Sequence, residues 1–194
     1  MMKVLRFLLA LLLLAPLSAP AETYNIDNAH SQIAFSLHQF VSSVRGEFHR
    51  FSGTIEVDRD HPERSSVSAR ISVGSIDTKI QKRDHHLLSA EFFDAAKFPE
   101  ITFISRSVKQ TGENSGDITG DFTMHGVTKP MILHVKLTTP RSGESLSERT
   151  RWIVTTDPIN RKDFGLMFSG ATESISGISS NVTPTIEIAT VRAK

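Results

Sequence analysis

The chain has 194 residues, no cysteine and a formal net charge of +1. The absence of cysteine excludes a disulfide framework, a cysteine nucleophile and a cysteine-ligated metal site. A near-neutral charge predicts no nucleic-acid partner, because such surfaces need a clustered positive excess. A chain of this length can bury one substantial core, so it predicts one domain.

The first 21 residues have the three-part pattern of a secretory signal. Lys3 and Arg6 precede an apolar run over Phe7–Leu14, and small residues follow as far as Ala21. The run is too short for the roughly 20 residues that a membrane span needs. The pattern predicts cleavage after Ala21, a mature domain over residues 22–194, and a periplasmic or secreted location.

Alternation of apolar and polar residues dominates the mature chain, which is typical of half-buried strands. Turns rich in Gly and Pro separate the runs, so successive strands are expected to be antiparallel neighbours. The pattern predicts eight strands, over Ser31–His38, Gly46–Asp58, Ser65–Val73, Ile101–Val108, Ile118–Met124, Met131–Thr138, Arg149–Thr156 and Thr185–Val191.

The second of these runs, Gly46–Asp58, is too long for one flat strand, because it would span about 43 Å at about 3.3 Å per residue. Its parity also changes, since Phe48 belongs to one alternation phase and Phe51 to the other. A β-bulge near His49-Arg50 and a bend at Gly53 would reconcile both phases. Closed sheets turn corners in this way.

The segment Asp84–Phe93 breaks the strand pattern, because it lacks Gly, Pro and β-branched residues. It predicts a short amphipathic helix between strands three and four that covers one end of a barrel. The predicted fold class is therefore all-β, an eight-stranded antiparallel barrel with one short helix. A membrane-spanning barrel would need outward apolar faces with aromatic belts, so the wet strand faces favour a soluble one.

The interior of an eight-stranded barrel is either filled by its own side chains or holds one small ligand, and alternation alone leaves both open. An apolar ligand would need a lumen with few unpaired polar groups. The inward-facing candidates for lumen contacts are Ile33, Phe35, Leu37, Ile71, Phe103, Phe122, Leu133, Val135 and Trp152.

A charged stretch begins the predicted helix. Its adjacent histidines point about 100° apart and lack the i, i+4 spacing of helical metal ligands, so no metal site is predicted. The structural alternative is a helix start with an acidic side chain near the positive dipole end. The candidates for contact with a ligand head group at a barrel mouth are Arg83, Asp84, His85 and Arg161.

The segment Asn160–Leu166 is expected to fold over the barrel mouth. Arg161 could bind a head group there, since guanidinium pairs well with phosphate, or form an ion pair with Asp157 or Asp163. His30, Ser31, His125 and Asp163 could form a nucleophile system only if the fold brought them together, and the chain lacks the Gly-x-Ser-x-Gly motif. No catalytic residue is predicted.

Short motifs in a fixed order give the chain a family resemblance over nearly all of its mature length. It resembles the YceI-like polyisoprenoid-binding family of exported, lipocalin-like barrels. The resemblance implies an eight-stranded antiparallel barrel whose tunnel takes a polyisoprenoid or similar lipid, with no established reaction. The matching motifs lie at Asp27–Ser31, Gly46–Gly53, Ser75–Thr78, Arg83–Leu87, Glu91–Asp94, Phe98–Phe103, Gly120–Pro130 and Asn160–Leu166.

These observations predict a periplasmic binding or carrier protein for a long apolar ligand, such as an isoprenoid quinone or a polyprenyl lipid. No cofactor is expected. A transient membrane contact is compatible with this role, and the oligomeric state, including a homodimer, stays open. The alternatives are a secreted stress-response protein that sequesters varied hydrophobic compounds and, less favoured, a lipid-modifying enzyme.

Overall fold

The computed structural model describes residues 21–138, 149–168 and 177–194. The predicted signal peptide (except Ala21) and the predicted turn over residues 140–144 lie outside them. The described residues form twelve strands and one α-helix, α1 (Gln81–Leu88). The strands are β1 (Glu22–Ile26), β2 (Gln32–Gln39), β3 (Ser42–Phe48), β4 (Phe51–Val57), β5 (Ser66–Ser72), β6 (Ile76–Asp77), β7 (Glu100–Gly112), β8 (Ser115–Met124), β9 (Val127–Thr138), β10 (Arg149–Thr155), β11 (Ile159–Asn160) and β12 (Asn181–Arg192).

Eight of these strands close into a barrel in the order β1-β4-β5-β7-β8-β9-β10-β12. The ring closes because β1 pairs with both neighbours, with Tyr24 opposite Ile55 of β4 and opposite Arg192 of β12. Every pairing in the ring is antiparallel. The predicted fold class is confirmed, and closure removes the sheet edges that would otherwise invite aggregation.

The remaining four strands prolong the barrel wall at one end. Strand β2 pairs with the first half of β12, and β3 and β6 follow it in the sheet. Strand β11 also pairs with the start of β12, at Val182 and Asn181. Because α1 follows β6 directly, we call this the α1 end. The opposite end carries the β4–β5 and β7–β8 connections.

A crease crosses the wall where three long strands are interrupted side by side. The interruptions are Asp27–Ser31 between β1 and β2, His49–Arg50 between β3 and β4, and Val73–Ser75 between β5 and β6. The break at His49-Arg50 confirms the predicted irregularity in Gly46–Asp58. Gly53, by contrast, lies inside the uninterrupted pairing of β4 with β5, where a Cβ would lie 2.5 Å from the Ser68 carbonyl oxygen.

Side chains from one interruption hold the next in place. Asn28 spans the break in its neighbour, because its Nδ2 donates to His49 O at 2.9 Å and its Oδ1 accepts from Phe51 N at 2.8 Å. The hydroxyl of Ser75 accepts from Arg50 N and donates to Ser72 O. These bonds replace the ladder bonds that the breaks remove, as buried or half-buried backbone groups require.

Helix α1 differs in its bounds from the prediction. It begins three residues before Asp84 and ends at Leu88, and the residues as far as Phe93 form turns. The start is earlier because Asp84 N already donates to Ile80 O at 3.0 Å, so the first helical hydrogen bond encloses Gln81–Arg83. Strands β1, β6 and β11 were also missed, since the two short ones carry no readable alternation and β1 is mostly polar.

The buried core cluster lies at the α1 end rather than along the barrel axis. It joins residues after α1 with residues of β3, β6, β7 and β8 and with the segment that follows β11. The members are Phe48, Val73, Ile76, Phe92, Phe93, Ile101, Met124, Phe164 and Leu166. In the part of the chain that the structure describes, no helix is long and apolar enough to cross a membrane.

Candidate functional site

A cavity of about 760 Å³ occupies the barrel interior and is lined by residues from all eight strands of the ring. Its volume lies within the range of small-molecule sites. The interior is therefore not filled by its own side chains, which decides between the two states that alternation left open. All nine lumen candidates lie on its wall: Ile33, Phe35, Leu37, Ile71, Phe103, Phe122, Leu133, Val135 and Trp152.

The sequence pattern predicted only some of the residues that line the cavity. The same period-two alternation that gave the nine candidates also places further apolar residues of β4, β5, β8, β10 and β12 on it. Each of them continues the alternation of a strand that was predicted, so the signal was present in the sequence. The additional residues include Ile55, Ala69, Ile118, Val154, Ile186 and Ile188.

Polar side chains line the cavity mainly at its two ends. At the α1 end the wall includes Thr78, Arg83, His86 and Arg161. The opposite end is lined by Asp58, Arg59, Gln110, Glu113 and Asn114. Between them the lining is dominated by aliphatic and aromatic side chains. Such a wall offers an apolar chain a continuous apolar surface. A polar head group would find hydrogen-bond partners mainly at the ends of the cavity.

Trp152 is the one lumen candidate whose polar atom has to be accounted for. Its indole Nε1 donates to Thr150 Oγ1 at 2.7 Å, and that hydroxyl lies 2.6 Å from Thr190 Oγ1. No buried side-chain nitrogen or oxygen lacks a hydrogen-bond partner among the described residues. The wall therefore presents the indole ring to the lumen with its polar edge already satisfied.

Arg83 and Asp84 hold Thr78 between them. The Thr78 hydroxyl donates to Asp84 Oδ1 at 2.5 Å and accepts from Arg83 Nε at 2.7 Å. Arg83 Nη2 also donates to Thr78 O at 2.8 Å. The Asp84 carboxylate thus anchors the start of α1. Arg83 lies on the cavity wall, and its Nη1 has no hydrogen bond to the described residues.

The two histidines of α1 have different surroundings. Both are exposed, but only His86 lines the cavity, where it stacks on Phe168 with the ring centroids 5.9 Å apart. Adjacent helical residues point about 100° apart, so only one of the pair can face the barrel. His85 was predicted as part of the charged stretch, because the sequence carries no local signal for which of the two histidines faces the cavity.

Arg161 is almost completely buried, with 2% of its surface exposed. Its guanidinium donates to the backbone carbonyls of Leu166 at 2.6 Å and Ser179 at 3.2 Å, and it lies 5.2 Å from the Phe168 ring centroid. Arg161 thus joins the segment after β11 to the segment before β12. The predicted alternative partner Asp163 instead pairs with Lys129 at 3.3 Å.

The residues weighed as a scattered nucleophile system have separate structural contacts. Ser31 Oγ bonds Asp27 O and accepts from Ala189 N in the crease, and His30 pairs with Asp27. His125 Nδ1 lies 2.9 Å from Phe164 O at the α1 end. Asp163 pairs with Lys129, so each of the four side chains has a contact and none of these contacts is a nucleophile–base pair.

A cluster that the sequence analysis missed lies on the surface beside the crease. Glu47, His49 and Asp77 bring one potential ligand atom each within 4.8 Å of one another. The Lys79 ammonium already binds this group, at 2.9 Å from Glu47 Oε1 and 2.8 Å from Asp77 Oδ2. Hydrogen bonds from Lys79 and then His49 hold the pKa of Asp77 well below its usual range. The arrangement is that of a salt-bridge network.

Fold and cavity together define a class: a closed antiparallel β-barrel with an apolar lumen, built to enclose a ligand. The family model for the YceI-like domain matches residues 24–190. The chain belongs to the YceI-like family.

Relatives of known sequence agree with this assignment. A UPF0312 protein of Pseudomonas putida strain GB-1 is 37% identical over 163 residues, covering 82% of this chain and 84% of the relative. The protein YceI of Salmonella newport is 44% identical over 136 residues, covering 69% of this chain and 71% of the relative.

Solved structures share the fold. BcnA of Burkholderia cenocepacia superposes with a TM-score of 0.75 at 21% identity, covering 84% of this chain and 98% of that one. A mutant Campylobacter jejuni YceI protein with a monobromobimane guest superposes with a TM-score of 0.65 at 27% identity, covering 81% of this chain and 89% of that one. A polyisoprenoid-binding domain from Saccharophagus degradans superposes with a TM-score of 0.63 at 16% identity, covering 88% of this chain and 98% of that one.

Proposed function

We propose that the protein binds and carries a polyisoprenoid or similar long-chain lipid in the barrel lumen, in the periplasm or after secretion, and catalyses no reaction on it. The observation that carries the proposal is the apolar cavity of about 760 Å³ that runs through the barrel. The binding of a polyisoprenoid by a domain of the same fold supports the choice of ligand class.

The energetics of such a complex need no specific hydrogen bond along the chain. Burial of about ten methylene groups contributes roughly 8 kcal/mol, the free energy of a micromolar complex before the costs of association. The wall would select its ligand by length, width and hydrophobicity. An isoprenoid quinone and a polyprenyl phosphate therefore both fit the apolar wall, and the end of the cavity distinguishes them.

For the head group we propose the α1 end of the cavity, with Arg83 as the direct contact. Arg83 is half-buried on the wall and keeps Nη1 as a donor, and His86 lies on the same wall. Asp84 and Arg161 act through them, the first by fixing Thr78 and the second by fixing the backbone around Phe168. An anionic head group is favoured because guanidinium binds phosphate oxygens strongly.

Extraction of bound material from the purified protein, followed by mass spectrometry, tests the proposal. The expected result is a long-chain isoprenoid lipid, with an R83Q variant binding a polyprenyl phosphate more weakly and a polyprenol as tightly as the wild type does. A protein that contains no lipid and takes up neither probe would refute the carrier function. If R83Q loses affinity equally for both probes, the assignment of Arg83 to the head group is refuted and the carrier function is not.

A further inference from the structure

Exposed apolar side chains concentrate at one end of the barrel. Of the seven large hydrophobic residues that are exposed in the described part of the chain, three lie on strand faces, at Ile104, Ile132 and Ile153. The other four lie in connections at the α1 end, and the described connections at the opposite end contribute none. These four, which we call the apolar rim, are Phe40, Val41, Ile80 and Met167.

The most prominent part of the rim is the tip of the β2–β3 hairpin. Phe40 is 71% exposed and Val41 is fully exposed. The tip is held in place, because Phe40 N donates to Gly177 O at 3.1 Å and Ser42 Oγ donates to Gln39 O. Phe40 adopts φ 50°, a left-handed conformation that is unusual for a bulky residue.

The rim is continuous with the cavity wall. Leu37 and Val44, which flank the tip on β2 and β3, line the cavity, and so does Ile178, next to the glycine that binds Phe40. An apolar surface thus extends from the lumen to the tip. A ligand chain that leaves the lumen at this end would meet apolar side chains rather than water.

Exposed basic side chains outnumber exposed acidic ones at the α1 end. In its segments, residues 37–46, 78–99, 156–168 and 177–182, five Lys and Arg and three Asp and Glu are exposed. In the described segments of the opposite end, residues 22–24, 56–66, 108–117 and 190–194, the exposed charges nearly balance, with five basic and four acidic residues. Apolar side chains beside basic ones are typical of surfaces that bind anionic bilayers.

We propose that the apolar rim docks the barrel on an anionic lipid bilayer, with Phe40 and Val41 inserted and the α1 end of the cavity facing the membrane. A bilayer fits better than a protein partner, because a small protruding tip cannot provide the roughly 800 Å² per partner of a stable interface. The inference rests on the proposed lipid-carrying function, since docking would place the lumen where its ligand resides.

Flotation with vesicles of phosphatidylethanolamine and phosphatidylglycerol tests the docking. The test variant is F40N/V41S, in which Asn tolerates the left-handed backbone, and the matched control is I132S/I153S on the outer wall. We expect the vesicle partition coefficient of the test variant to fall about tenfold or more, with the control unchanged. Equal flotation of all three proteins, or no flotation of the wild type, would overturn the proposal.

A second copy of the chain is the competing occupant of the rim. If size-exclusion chromatography shows a dimer that F40N/V41S abolishes, the tip is a self-association surface and the proposal is wrong. Lipid content, measured on each variant by extraction and mass spectrometry, separates docking from carriage. A wild type that floats but holds no lipid would refute the proposed function while leaving the docking intact.

A fluorescence experiment with tryptophan variants tests the docking independently, in case F40N/V41S fails to fold. In a W152F background, V41W carries the only tryptophan at the tip and I132W carries it on the wall. Brominated phospholipids are expected to quench the fluorescence of V41W and to leave that of I132W unchanged. Equal quenching at both positions, or none at Val41, would contradict the inserted tip.

Discussion

At the scale of single residues, the ionic cluster beside the crease has a pH dependence that can be stated in advance. The Lys79 side chain, which donates to both carboxylates, lowers the pKa of Asp77 and of Glu47. A carboxylate with a lowered folded-state pKa stabilises the fold above its unfolded pKa of about 4, and this contribution is lost as the pH falls.

Replacing Lys79 with Met should raise the pKa of both Asp77 and Glu47, because it removes the hydrogen bond that the Lys79 ammonium donates to each carboxylate. Carboxyl chemical shifts recorded by NMR during a pH titration measure both values. Lys82→Met, an exposed position on α1, is the control and should move neither. An unchanged Asp77 titration in K79M would show that His49 alone sets its pKa.

Asn28 provides the second residue-scale prediction. N28A removes a donor and an acceptor that satisfy the backbone at the break between β3 and β4, so the free energy of unfolding should fall by about 1–3 kcal/mol. N28D keeps the Oδ1 acceptor for Phe51 N and loses the donor to His49 O, so its free energy of unfolding should lie between those of N28A and the wild type. Chemical denaturation measures both, and wild-type stability in N28A would contradict the bridging role.

At the scale of elements, the first turn of α1 depends on one carboxylate. Asp84 Oδ1 accepts from both Thr78 N and Thr78 Oγ1, and charge-assisted bonds of this kind are stronger than neutral ones. In D84N we expect faster amide exchange in Gln81–Leu88, measured by hydrogen–deuterium exchange, with unchanged protection in β8. Amide exchange in the helix of D84N as slow as in the wild type would show that Asp84 does not anchor the helix.

The elements also show what sequence patterns can and cannot give. Strands with apolar–polar alternation, such as β8 and β9, were predicted to within a few residues, because burial of one face leaves a period of two. The short strands β6 and β11 carry two residues each and are defined only by their partners. The start of α1 was misplaced because its first hydrogen bond reaches Ile80, which lies outside the helical pattern.

The candidate site divides in the same way. The nine wall positions follow from alternation within each strand, and all of them line the cavity. The polar end of the cavity depends on which face of α1 meets Phe168 and on how Arg161 joins two loops. These are tertiary facts with no local signal, and so the sequence pointed to His85 where the structure has His86 on the wall.

At the scale of the whole molecule, the barrel differs from a packed core in one respect that matters for function. Its buried core cluster lies at the α1 end, and the barrel axis is left as a cavity. At the crease, side chains of Asn28 and Ser75 bridge the interruptions in neighbouring strands, so backbone groups there keep hydrogen-bond partners. The pairing of β1 with β12 closes the ring, so no free strand edge is left around the cavity.

The central claim is that a lipid chain occupies the lumen, and native mass spectrometry of a blocked barrel tests it most directly. Ala69 faces the lumen on β5, and its neighbour Ser68 faces outward, so A69W fills the cavity whereas S68W adds the same bulk to the exterior. The overpacked variant should lose about 1–3 kcal/mol of stability, so circular dichroism must first show that it is folded. The account predicts lipid-bound wild type and S68W with lipid-free A69W. Equal lipid content in A69W and S68W would contradict it.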